Sequence, residues 1–166
     1  MTIKEKCAAM RAELKKLGYN SKQVSVRGGY CGYSDRAEIT IKDMKADRKA
    51  IENVCKKFQS IDYDSASGEI LEGGNTYIFV KYDYDTLENA IEEEVNKLDS
   101  LMAEIEKEQK HIKKNNSEYV LFKQDDNFCM VVYENGSTLG KNIIRPTNST
   151  EFKYSLARCL VTDFNY

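Results

Sequence analysis

The stretch Ala37-Glu38-Ile39-Thr40-Ile41-Lys42 alternates strictly between apolar and polar residues. Such alternation is typical of a strand that has one buried face. The shorter stretch Val24-Ser25-Val26-Arg27 alternates in the same way. Residues 28–35 between them are rich in glycine, as in a hairpin loop or an irregular strand edge. We therefore expect two neighbouring strands early in the chain.

Apolar residues at helical spacing flank these strands. On the N-terminal side the positions Ile3, Cys7, Met10, Leu14 and Leu17 form one face of a helix. Thr2 and Glu5 have the spacing of a capping box, and Gly18 is suited to end the helix. A second helix is predicted from about Ala46 to Phe58. The strongest strand signal lies at Thr76–Tyr82, which is rich in aromatic and β-branched residues.

The centre of the chain carries a seven-residue apolar repeat. Its members are Ile91, Val95, Leu98, Met102, Ile105 and Ile112. This period predicts one helix over residues 85–116, roughly 40 Å long at 1.5 Å per residue. The seam at residues 91–112 would pack within the chain, which we favour, or pair with a second copy to form a homodimer.

The C-terminal part has the pattern of three strands and a helix. Tyr119–Lys123 and Phe128–Tyr133 predict a hairpin, and Asn135-Gly136 predicts a tight turn into a third strand near residues 138–144. Asn148 has the spacing to cap a last helix through Glu151.

These elements predict the α+β class, because hairpins and segregated helices differ from the alternation of a doubly wound parallel sheet. The expected order is an α-β-β-α-(β)-β unit at residues 1–84, a long acidic helix at 85–116 and a β-β-β-α unit at 117–166.

Charge is segregated along the chain. Residues 1–61 carry fourteen Lys and Arg against seven Asp and Glu, whereas residues 62–108 carry three against fourteen. Residues 109–166 carry eight against six, and the formal net charge is only -2. Segregation of this kind bears on partners and association and not on fold. It indicates a protein that binds something charged.

The residues that carry chemistry are sparse. The single histidine, His111, lies in a lysine-rich segment, where a solvated helix residue is expected rather than a catalytic one. Asp83 with Asp85 would suit a divalent ion, although a solvated strand end has the same pattern and is favoured. The five cysteines have no metal-binding spacing. We therefore expect no enzyme activity, metal or cofactor. The cysteines fit reduced thiols of a cytoplasmic protein, and the apolar runs are too short for a membrane span.

The first candidate site is an acidic helix face that points away from the apolar seam. A row of carboxylates would meet a basic groove and compete there with the phosphate backbone of nucleic acid. An ordinary solvated helix carries the same pattern. The face consists of Glu92, Glu93, Glu94, Asp99, Glu104, Glu106 and Glu108.

The second candidate site is a basic set with interleaved tyrosines. Cations and aromatic rings together would contact phosphates and stack on bases, although a lysine-rich helix surface is the ordinary alternative. The set consists of Lys15, Lys16, Lys22, Arg27, Tyr30, Tyr33 and Arg36.

The N-terminal part also contains four short sequence segments that resemble those of a known family. They are Leu14-Lys15-Lys16-Leu17-Gly18-Tyr19, Val24-Ser25-Val26-Arg27, Tyr30-Cys31-Gly32-Tyr33-Ser34-Asp35 and Glu38-Ile39-Thr40-Ile41-Lys42-Asp43. Through them residues 2–84 resemble the large polyvalent protein-associated domains, small modules within or beside very large polyproteins of bacteriophages and conjugative elements. The resemblance implies a mobile element in a bacterial host. It carries over no site residue, because the family has no assigned active site.

Two functional hypotheses follow. In the first, the protein binds and inhibits a host nucleic-acid-handling defence complex through the acidic face, for example as an anti-CRISPR protein that blocks a Cas nuclease. In the second, it is a nucleic-acid-binding accessory module that uses the basic N-terminal third. The two differ in the sign of the charges on which activity depends.

Overall fold

The computed structural model of this chain describes residues 1–114, 117–134, 137, 142–144 and 148–162. It has a mixed α+β architecture, which confirms the predicted class. The chain divides into two compact units, Met1–Thr86 and Leu87–Tyr166, called here the N-terminal and the C-terminal unit.

The N-terminal unit is built on a three-stranded sheet of order β1-β2-β3. Strands β1 (Val24–Cys31) and β2 (Ser34–Ile41) form an antiparallel hairpin, so the glycine-rich segment continues both strands and leaves only a short turn. Strand β3 (Thr76–Tyr82) runs parallel to β2. A parallel neighbour requires a crossover connection, and helix α2 (Arg48–Cys55) lies in that connection with a 3-10 turn at Lys56–Phe58.

Helix α1 (Ile3–Lys16) begins at the predicted capping box. The Thr2 hydroxyl accepts the Glu5 N–H at 3.3 Å, and the Glu5 carboxylate accepts the Thr2 N–H at 2.7 Å. Its apolar stripe packs with α2 on one face of the sheet, around Met10, Ile39 and Ile51. The opposite face of the sheet carries polar, aromatic and glycine residues, and we call it the open face. Its members are Ser25, Arg27, Gly29, Arg36, Glu38, Thr40, Tyr77, Phe79 and Lys81.

The prediction of one long helix over residues 85–116 is wrong. Helix α3 (Tyr84–Val95) ends before a turn, helix α4 (Asp99–Ile105) follows, and strand β4 (Lys110–Lys114) comes next. The segment between Ile105 and Ile112 contains no apolar residue, so it offers a helix nothing to bury. Pairing of Lys110–Lys114 with β5 instead satisfies its backbone in a sheet.

The predicted seam at residues 91–112 is therefore not continuous. Ile91, Leu98, Met102 and Ile105 are already buried in the single chain, and Ile112 lies on a strand. These buried side chains are not available as a coiled-coil surface for a second copy, and a homodimer through residues 91–112 stays a prediction.

The C-terminal unit contains a four-stranded sheet of order β4-β5-β6-β7. Strands β5 (Ser117–Gln124) and β6 (Asn127–Glu134) form the predicted hairpin, and β7 (Asn142–Ile144) pairs with β6. Asn135-Gly136 lies outside the described residues, as does part of the predicted strand at 138–144. Helix α5 (Ser149–Thr162) has the predicted cap, since the Asn148 side chain accepts the Glu151 N–H at 2.8 Å.

The core of the C-terminal unit lies where α5 packs on β6 and α4 on β5. Phe152 of α5 is fully buried, and its ring centroid lies 5.5 Å from that of Phe128 on β6. The buried Tyr119 donates its hydroxyl to the carbonyl of Cys159 at 3.3 Å. Within the described part of the chain, no helix is both long and apolar enough to cross a membrane.

Candidate functional site

The seven acidic residues do not share one helix face. Glu92, Glu93 and Glu94 lie in the last turn of α3, whereas Asp99 and Glu104 belong to α4. Glu106 and Glu108 lie in the connection to β4. The prediction of a single acidic face is wrong because the helix on which it depended is interrupted twice.

Five of the seven carboxylates have lysine partners within the C-terminal unit. Asp99 binds Lys153 at 2.7 Å, and Glu94 binds Lys97 at 3.1 Å. Glu104 and Glu108 converge on Lys110 at 2.9 Å and 2.6 Å, and Glu106 lies 3.8 Å from Lys123. The hydrogen bond from Lys110 lowers the pKa of Glu108. Exposed pairs of this kind add little stability, but they cancel much of the local negative potential.

Glu92 and Glu93 are the exception. Both are exposed, and neither has an ion-pair partner among the residues that the structure describes. Glu88 lies one turn before Glu92 and accepts the Tyr154 hydroxyl at 2.8–2.9 Å. The last turn of α3 contains no basic residue. We call Glu92 and Glu93 the bare acidic pair.

The basic set is also divided. Lys15 and Lys16 lie at the end of α1, on the side of the sheet that the helices cover. Arg27 and Arg36 lie on the open face, on the opposite side. Lys16 is paired with Glu13 at 2.5 Å and Arg36 with Glu38 at 3.2 Å. The seven residues therefore do not form one surface; Lys22 lies in the turn after α1, and Tyr30 and Tyr33 near the hairpin tip.

An exposed apolar groove was missed by sequence reasoning. It lies between the β1–β2 hairpin tip and the loop at residues 62–74, beside the open face, and has a volume of about 600 Å³. Its apolar lining comes mainly from Tyr33, Ile70, Leu71, Tyr77 and Phe79. The available signal was Ile70-Leu71, two large apolar residues inside a segment otherwise typical of turns.

The remaining candidates have structural partners. His111 lies 2.9 Å from the Glu118 carboxylate and 2.8 Å from the Gln109 amide, and its hydrogen bond lowers the pKa of Glu118. Asp83 accepts the Thr86 hydroxyl at 3.1 Å, beside the start of α3. Over the described ranges, no three His, Cys, Asp or Glu residues gather as metal ligands.

No protein-family model matches the chain, and no curated protein or solved structure matches it either. Function is therefore inferred from the side chains just described.

Proposed function

We propose that the protein is a non-enzymatic product of a phage or other mobile element that binds and inhibits a host nucleic-acid-handling defence complex. A Cas nuclease blocked by an anti-CRISPR protein is the example we favour, and the bacterial cytoplasm is the compartment. The observation that carries the proposal is the bare acidic pair, Glu92 and Glu93, at the end of α3.

The position of this pair is unfavourable for the isolated helix. The C-terminus of a helix carries partial negative charge, so carboxylates in the last turn are repelled there. Glu92 also lies four residues after Glu88, and like charges at this spacing destabilise a helix by about 0.2–0.5 kcal/mol. A cationic partner would relieve both repulsions on binding.

A basic nucleic-acid channel is a partner of this chemistry. Such channels concentrate Lys and Arg to hold phosphates. Two exposed carboxylates that bind there would exclude nucleic acid without any chemical step. The electrostatic contact would speed association, and salt would weaken it.

The test is cleavage by a panel of purified CRISPR and restriction nucleases in the presence of this protein. We expect one nuclease to be inhibited and the variant Glu92→Lys/Glu93→Lys to require at least about tenfold more protein, a change of about 1.4 kcal/mol in binding. The matched control is Glu104→Lys/Glu106→Lys, which reverses two carboxylates that already have lysine partners. We expect it to stay within about twofold, since paired charges contribute little at the surface.

Misfolding would not explain that difference, because reversing Glu92 removes the repulsion from Glu88 and should leave helix α3 at least as stable. Equal loss in the control variant would contradict a specific role for the bare pair. Failure to inhibit any nuclease in the panel would contradict the proposed function.

A second function has one observation in its favour. Arg27 is exposed on the open face and has no ion-pair partner in the described part of the chain. In the sheet register it shares a row with Glu38 and the exposed Phe79. Cations and exposed aromatic rings on one surface are the elements that bind single-stranded nucleic acid, although Glu38 lies between Arg27 and Phe79 in this row. This supports the alternative of a nucleic-acid-binding accessory module.

The alternative predicts the opposite charge dependence. If it holds, Arg27→Glu weakens binding of a fluorescent single-stranded oligonucleotide at least about fivefold, with a smaller salt dependence, because one phosphate contact is lost. Glu92→Lys/Glu93→Lys should then leave oligonucleotide binding undiminished. No binding at low salt by the unaltered protein would exclude the alternative.

A further inference from the structure

The groove beside the open face has the composition of a protein-binding hot spot. Tyr33 is 89% exposed, Phe79 is 50% exposed and Leu71 is 46% exposed. The rings of Tyr77 and Phe79 lie side by side, with centroids 6.4 Å apart. Large apolar and aromatic side chains clustered on a surface usually mark an interaction site.

Hydrogen bonds hold the loop that forms one wall. Asn75 is only 1% exposed. Its side chain accepts the Asp62 N–H at 2.8 Å and donates to the Leu71 carbonyl at 2.6 Å. Asp64 accepts the N–H groups of Ala66 and Ser67 at 2.8 Å and 2.7 Å. Ile70 and Leu71 are thus presented to solvent by a preorganised loop, which lowers the entropic cost of binding.

The charge of this loop restricts the occupant. Residues 59–80 contain Asp62, Asp64, Glu69 and Glu72 but no Lys or Arg, and Glu72 lines the groove itself. A phosphate backbone would be repelled at this wall, whereas lysines or arginines would be attracted. On the open face beside the groove, Glu38 pairs with Arg36 at 3.2 Å and with Lys81 at 3.5 Å and offsets part of their positive charge.

We propose that this groove binds a basic protein segment, one large apolar side chain of which enters between Leu71 and Phe79 while neighbouring cations face Glu72 and the acidic loop. Complementarity of charge and apolar area argues for this occupant. The inference rests on the proposed function, since a nuclease that handles nucleic acid exposes basic segments. The partner would then have two binding surfaces on this protein: the bare acidic pair and the groove of the N-terminal unit.

Cys31 provides a direct probe because it is exposed and lines the groove. The other four cysteines are buried, and burial raises the pKa of Cys55 and of Cys159 to about 11. An alkylating reagent should therefore modify Cys31 first, since thiolates react and buried thiols do not. Occupation of the groove would slow this modification.

The probe ligand is a synthetic peptide with a central Trp flanked by lysines, compared with the same peptide flanked by glutamates and with single-stranded oligothymidylate. We expect the lysine peptide at saturation to slow Cys31 alkylation at least about fivefold, because it would shield the reactive thiolate, and the other two ligands to leave the rate unchanged. Equal protection by the glutamate peptide or by the oligonucleotide would overturn the proposal, as would no protection by the lysine peptide.

Leu71→Asn tests the wall itself, and Leu17→Asn is its matched control because Leu17 is 45% exposed and lies outside the groove. We expect Leu71→Asn, and independently Phe79→Ala, to abolish peptide protection and to weaken nuclease inhibition, whereas Leu17→Asn retains both. Undiminished inhibition by both groove variants would overturn the groove and leave the proposed function standing. Peptide protection without inhibition of any nuclease would support the groove while the proposed function fails.

Discussion

Replacing Phe152 with alanine is expected to lower the free energy of unfolding of the C-terminal unit by about 3–5 kcal/mol. Phe152 is fully buried where α5 packs on β6, and its ring contacts that of Phe128. The substitution loses the burial of an aromatic ring and leaves a cavity that the sheet cannot fill. Because the free energy of unfolding of a domain is only about 5–15 kcal/mol, this one change removes a large share of it.

Urea unfolding followed by circular dichroism measures this effect. Phe79→Ala is the matched control, since it removes the same side chain at a position that is 50% exposed. We expect the control to cost less than about 1 kcal/mol, as substitutions at partly exposed positions usually do. Equal losses in the two variants would contradict the burial of Phe152.

The elements that sequence reasoning predicted correctly depend on local signals. Helix α1 is fixed at one end by Thr2 and Glu5 and at the other by Gly18, whose φ of +91° suits glycine. Strand β2 follows from alternation alone, because one side of it faces a core. Neither inference requires knowledge of a distant residue.

The central helix could not be predicted in this way. The apolar period continues from Ile91 to Ile112 although α4 ends at Ile105 and a strand begins at Lys110. Lys110–Lys114 forms a strand because it pairs with β5. That pairing is a tertiary interaction, and such interactions override helical periodicity.

The candidate sites show the same limit. Composition identified the acidic residues, but it could not show that Asp99 meets Lys153, 54 positions along the chain. Pairing with lysines, here and at four other carboxylates, distinguishes these residues from the bare acidic pair. The groove joins Tyr33, Ile70-Leu71 and Tyr77 from three separate segments, and patterning assigns such large apolar residues to a core by default.

Replacing Gly28 with valine is expected to destabilise the N-terminal unit by about 1–3 kcal/mol, the usual cost of overpacking. Gly28 lies on β1 beneath α1, and a Cβ atom there would lie 2.9 Å from both Cys7 Sγ and Ile3 Cγ1. In a strand, valine is ordinarily favoured over glycine. The expected sign is therefore opposite to that of strand propensity, and urea unfolding measures it.

Gly29→Val is the matched control, because the next residue of a strand faces the other side of the sheet. A Cβ atom at Gly29 meets only the flexible Arg36 side chain, at 3.3 Å from Nε, so this variant should be neutral or more stable. Cys7→Ala should restore part of the stability of Gly28→Val, since it removes one of the two close contacts. If instead Gly29→Val were the damaging variant, α1 would cover the face that carries Arg27 and Phe79, and the groove would not be free to bind a partner. The two glycines thus test the assignment of the open face, on which the inferred protein-binding groove depends.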